Sequence, residues 1–104
     1  MTHREAFILT CIELTRMDGE LSVEEMNRCS GVLNSLGFSS LEFDNVENNL
    51  DQFSEEDLIT TIKDMAPIMK KNLLLAMQDI AGSDGVDDSE IDFISTIREI
   101  IKQA

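Results

Sequence analysis

Displaced by 66 positions, the chain overlays on itself. Phe7 falls on Leu73, Ile8 on Leu74, Leu9 on Leu75, Cys11 on Met77, Leu14 on Ile80, and Asp18-Gly19 on Asp84-Gly85. After the glycine the second copy is one residue shorter; Leu21 then meets Val86, Glu25 meets Glu90, Met26 meets Ile91 and Cys29 meets Ile94. Within each copy the apolar residues recur at three- and four-residue intervals, the spacing that lines one face of an α-helix. Each copy reads as a helical hairpin: a buried helix, an Asp-Gly corner followed by one apolar residue, and a Glu-capped amphipathic helix. Neither hairpin can cover its own apolar face, so the two are expected to pack against each other. The fold class that follows is all-α, a compact bundle of about six helices built from two related hairpins, with the third and fourth helices bridging them.

The remaining boundaries come from caps and breakers. Residues 3–17 form the first helix, which ends at Asp18-Gly19. Ser22 with Glu25 makes a capping box for the second, which runs to Leu36 and stops at Gly37. Ser39 and Ser40 precede a short amphipathic segment carrying Leu41, Phe43, Val46 and Leu50. Ser54 and Asp57 open a fourth helix, which breaks near Met65 and Ala66 because the next residue is the only proline. Pro67 suits the first turn of a fifth helix, which continues to Ala81 and ends at Gly82. Asp87 and Glu90 cap a sixth that reaches the C-terminus. No strand, long linker or low-complexity tract interrupts this order, and residues 1–104 are expected to form a single domain.

Charge narrows the partners. With 21 acidic and 8 basic residues the net charge is −13, which repels nucleic-acid phosphates and anionic lipid headgroups. Nucleic acid and direct membrane insertion are therefore excluded as expectations, while cations and basic protein surfaces remain. A protein partner is expected, with the chain itself a monomer or weak dimer. No apolar run approaches the roughly 20 residues a bilayer span needs, and Met1 to Glu5 lacks the pattern of a secretory signal. A cytoplasmic location is expected. Cys11 and Cys29 lack paired spacing and fall on apolar helical positions, as reduced core thiols would.

The Asp-Gly corners carry the chemistry. Gly19 and Gly85 stand where a helix ends in a left-handed residue. Asp18 and Asp84 are less expected, because a carboxylate at a helix C-terminus faces the negative end of the macrodipole at a cost of about 0.3–1 kcal/mol. Two offsets stay open. The carboxylates can accept hydrogen bonds from loop amides or from the amides that begin the next helix. Alternatively they hold a cation: Glu13, Glu20, Glu24 and Glu25 surround the first corner, and Asp79, Asp87, Asp88, Glu90 and Asp92 the second. Oxygen-only ligands suit Ca²⁺ or Mg²⁺, and Asp18, Glu25, Asp84 and Glu90 are the candidate metal-site residues. An EF-hand fails in its first half, where Leu14 and Arg16 stand in place of carboxylates, as do Ile80 and Gly82 in the second copy. A cation would need ligands from more than one segment.

An apolar helix, Asp-Gly, an apolar residue and a capping Glu, once at Leu9 to Met26 and again at Leu75 to Phe93, resembles the TerB-like tellurite-resistance family. The resemblance covers nearly the whole chain. It implies an all-helical fold, a cation-binding acidic surface, and no established catalytic activity. It also implies kinship with bacterial tellurite and metal-stress systems and with the N-terminal domain of a membrane-anchored DnaJ-type co-chaperone. Asp18 and Glu25 match the first motif, Asp84 and Glu90 the second. The one-residue shortening between Gly85 and Val86 departs from the family pattern.

Rival readings have specific carriers. Leu36-Gly37-Phe38-Ser39-Ser40-Leu41-Glu42 is similar to an acyl-carrier motif, with Ser40 as the phosphopantetheine attachment point. Against it, Ser39 replaces the usual aspartate and a capped helix fills residues 22–36 where a carrier has mostly loop; helix capping by Ser39 or Ser40 is the simpler account. No catalytic constellation accompanies the single histidine, His3, which reads as a frayed surface residue, and the chain is expected not to be an enzyme. Met65, Met69, Met77 and the run Leu73-Leu74-Leu75 read as core packing ahead of a partner-binding groove.

Overall fold

Residues Ala6 to Ile12 are apolar apart from Thr10, so a helix built from them has no side to give to water, and it must lie in the middle of whatever forms. In the structure, a computed structural model that describes residues 1–16, 23–81 and 88–102, this is what α1 (His3–Thr15) does. All seven of these residues are buried, as are Leu14 and Thr15, and α1 packs against α2 (Val23–Ser35), α3 (Ser40–Asn48), α4 (Glu55–Asp64) and α5 (Pro67–Ala81). It also meets α6 (Asp88–Lys102). Thr10 and Thr15 enter the core without cost because their hydroxyls donate to the carbonyls of Ala6 and Cys11 at 2.7 and 2.9 Å. Six α-helices and no strand make up the described residues, with one 3₁₀ turn at Leu50–Gln52.

The two hairpins pack as the repeat requires. α1 lies against α2, α5 against α6, and the hairpins join through α1–α5 and α2–α5 contacts. α4 bridges them by touching both α1 and α6, whereas the main contacts of α3 are with α1 and α2 of the first hairpin. The copies are not equivalent in burial. Phe7 and Leu73, Cys11 and Met77, and Leu14 and Ile80 are buried pairs, but Leu9 is 4% exposed and its counterpart Leu75 50%. Met65 and Met77 are core residues and Met69 packs against the core, as expected of gap-filling thioethers.

The helix ends follow their caps, with three differences from the sequence reading. At the start of α1, Thr2 and Glu5 form a capping box, and the ring Nε2 of His3 lies 3.0 Å from an Asp64 carboxylate oxygen. His3 is therefore a half-buried first-turn residue tied to the end of α4, and the expectation of a frayed residue is corrected. At the other end, α1 is helical to Thr15, and the Arg16 amide is shared between the carbonyls of Ile12 and Glu13, which tightens the last turn. The short segment after Ser39 divides in two: α3 ends at Asn48, where the Asn49 side-chain amide donates to Asn45, and Leu50 belongs to the 3₁₀ turn.

The α2–α3 connection shows how firmly a short loop can be fixed. Gly37, at φ 96°, takes the left-handed position that ends α2; the Phe38 amide donates to Leu33 and the Gly37 amide to Asn34, the paired bonds of a Schellman motif. Phe38 is buried with its ring centroid 4.8 Å from that of Phe7. Arg4 closes the loop over it: its guanidinium stands 4.5 Å above the Phe38 ring, donates to the Gly37 carbonyl at 3.1 Å, and grips Glu42 through two bonds of 2.8 and 2.9 Å. Ser39, as N-cap of α3, completes a capping box with Glu42. The Arg4 bonds, helped by the Ser39 amide, lower the Glu42 pKa from 4.5 to about 2. A depressed carboxylate pKa adds stability that is present above pH 4.5 and lost as pH falls through about 2. Glu42→Gln is therefore expected to lower the melting temperature at neutral pH, with the difference from wild type shrinking across that acid window. A difference independent of pH would assign the effect to packing instead.

Candidate functional site

Of the four candidate metal-site residues, two are described. Glu25 and Glu90 are each the third residue of their helices, α2 and α6, and both are half-buried. That is the position from which a capping-box carboxylate reaches back to the residue before the helix, and it also favours negative charge through the macrodipole. Asp18 and Asp84, with Gly19, Gly85 and the cap residues Ser22 and Asp87, lie outside the described residues. The same holds for Glu20 and for the apolar corner residues Leu21 and Val86. Among the described residues no group of three or more His, Cys, Asp or Glu side chains is arranged to hold a metal ion. The described part of the chain supplies one half-buried carboxylate to the start of each second helix, and no complete ligand set.

One hydrogen bond and one shared groove bring these helix ends to one end of the molecule. The Arg28 guanidinium, in the second turn of α2, donates at 3.1 Å to the carbonyl of Asp79 in the last turn of α5. Glu13, in the last turn of α1, and Phe93, in the second turn of α6, line one groove. Under the repeat Arg28 corresponds to Phe93 and Asp79 to Glu13, so equivalent positions of the two hairpins come near each other in both cases, through a hydrogen bond in one and across a groove in the other. The C-terminal ends of α1 and α5 and the N-terminal ends of α2 and α6 are therefore neighbours.

Arg28 is a residue whose role the sequence reading missed. Its charge sits on the negative end of α5 and satisfies a carbonyl in that helix's last turn. Arg16, one residue beyond α1, lies 3.6 Å from Glu13 and places a positive charge at the corresponding end of α1. Each first helix thus has an arginine at its C-terminal end, where positive charge complements the macrodipole. Arg16 stands beside its helix end in the sequence itself, whereas the Arg28 contact depends on how the hairpins pack.

Ser40 is the exposed first residue of α3, and Asp44 and Glu47 line the same surface groove. The capping role considered for Ser39 or Ser40 belongs to Ser39, which accepts from the Glu42 amide at 3.1 Å. No helix among the described residues is long and apolar enough to cross a membrane.

A search of curated proteins and a search of solved structures each found no match. Residues 4–103 match the family model of tellurite resistance protein TerB. That span takes in all six helices but for His3, including both hairpins and the half-buried Glu25 and Glu90. The chain belongs to the TerB family.

Proposed function

We propose that this TerB-family chain is a non-enzymatic binding and adaptor module of a bacterial tellurite or metal-stress response, in which Asp18, Glu25, Asp84 and Glu90 take up a divalent cation. The observation that carries this reading is the equivalent placement of Glu25 and Glu90: the same helical position, half-buried in both copies, on helix ends that lie at one end of the bundle. Their oxygen ligands favour Ca²⁺ or Mg²⁺ over softer metals. A net charge of −13 draws cations to the surface and lets a basic protein partner approach quickly. The four-residue set spans both hairpins, so a bound ion would cross-link them and stabilise the fold in proportion to its occupancy.

Titrating the protein with Ca²⁺ and then Mg²⁺, read by amide shifts, tests the cation. Saturable shifts at Glu25, Glu90 and their neighbours are expected at up to millimolar ion, with a matching rise in melting temperature. Glu25→Gln combined with Glu90→Gln is expected to remove most of both effects. If neither helix start responds at millimolar ion, the cation site is lost and the acidic corners are structural.

A further inference from the structure

Between α1, the 3₁₀ turn, α4 and α6 runs a groove of about 390 Å³. Its walls are Leu9, Leu50, Phe53, Leu58 and Phe93. Leu9 and Leu58 belong to the buried core, but Leu50, Phe53 and Phe93 are only partly covered. Among the described residues the charged ones that line it are both acidic, Glu13 and Glu55. Glu55 makes no ion pair among the described residues, and the ion pair of Glu13 is the loose 3.6 Å contact to Arg16. Ser54, also at the rim, is engaged as the N-cap of α4 through the Asp57 amide.

We infer that this groove docks a basic segment of a partner protein, which inserts one bulky apolar side chain between Phe53 and Phe93 and sets flanking lysines or arginines against Glu13 and Glu55. An apolar floor with a charged rim is the anatomy of a single-anchor docking site, where one buried side chain supplies most of the affinity and the rim selects the partner. The volume lies at the low end of ligand pockets, which suits a side chain or two. The sign of the rim chooses among occupants. An anionic ligand or lipid would meet two carboxylates on a protein of charge −13. A second copy has exposed apolar residues to offer, Val23 and Leu41 as well as Ile68 and Leu75, but it would bring its own −13 charge with it. A basic partner segment satisfies floor and rim together. This rests on the adaptor half of the proposed function and is independent of the cation.

The test titrates isotope-labelled full chain with the peptide acetyl-Lys-Lys-Ala-Phe-Leu-Ala-Lys-Arg-amide. Two controls accompany it, one with Phe and Leu replaced by Ala, the other with every Lys and Arg replaced by Glu. Saturable amide shifts are expected around Glu13, Phe53 to Leu58 and Phe93, absent with both controls. Glu13→Gln with Glu55→Gln, surface changes that leave the walls intact, is expected to weaken the peptide about fivefold. Shifts that map elsewhere, or that persist with the Ala control, overturn the groove and leave the module able to bind by another surface. Self-association that covers these residues overturns the partner segment in favour of a second copy. No response to any peptide, with Glu25 and Glu90 still responding to cation, removes the groove and keeps the cation site.

Discussion

Phe7→Ala is expected to lower the unfolding free energy by about 3–5 kcal/mol, seen as a fall in denaturation midpoint with little change in the slope of the transition. Phe7 is 1% exposed and lies on the central helix against Phe38, so the vacated space has rigid walls: α1 is enclosed by five other helices and the Phe38 loop is pinned by Arg4. Since domains of this size are stable by about 5–15 kcal/mol, the variant would stand near the edge of folding. The repeat makes the measurement sharper. Leu73, the counterpart of Phe7, is fully buried, and its replacement by Ala should cost about 2–5 kcal/mol. Leu75, the counterpart of buried Leu9, is half exposed, and its replacement should cost less than about 1 kcal/mol. Equal losses at Leu9 and Leu75 would contradict the packing described, in which α1 is central and α5 keeps one face toward solvent.

The same asymmetry marks how far the sequence could be read. Periodicity and caps located the helices because these signals are local: Gly37 ends α2, Pro67 opens α5, and Ser54 caps α4. The pairing of hairpins was also legible, since two apolar faces of one pattern have no other cover. Which copy would be more deeply buried was not legible, because Leu9 and Leu75 are the same residue type in the same register and differ only in what α4 and α6 lay over them. The polar ties were missed for the same reason. Arg4 with Glu42 and Arg28 with Asp79 join residues 38 and 51 positions apart, and a side chain that reaches a carbonyl across a helix interface leaves no periodic trace. At the candidate site, Glu25 and Glu90 are picked out in the sequence by the capping spacing, and both are half-buried.

The two thiols give the second large effect. Cys11 and Cys29 are both fully buried, on facing helices α1 and α2. Burial pushes the Cys29 thiol from 9.0 up to about 11, against a smaller opposing hydrogen bond with Thr15, and raises Cys11 well above its usual value with help from the neighbouring Cys29. At about pH 8 the Cys29 thiolate is then about a hundredfold scarcer than in the unfolded chain, before access is considered. An aromatic disulfide reagent should therefore label native protein only as fast as the α1–α2 packing opens, while denatured protein reacts at once. Because that opening draws on global stability, Phe7→Ala should accelerate labelling about a hundredfold or more, the factor that corresponds to about 3 kcal/mol. The raised thiol pKa carries a signed consequence for stability as well. Between pH 9.0 and about 11 the unfolded chain loses the Cys29 proton while the native chain keeps it, so stability must fall as pH rises through that window. Cys29→Ala removes this titration and should flatten that alkaline decline, whatever it costs in packing at neutral pH. A Cys29 thiol that reacts in the native protein at the rate of a free thiol would place it outside the core and would separate α2 from α1.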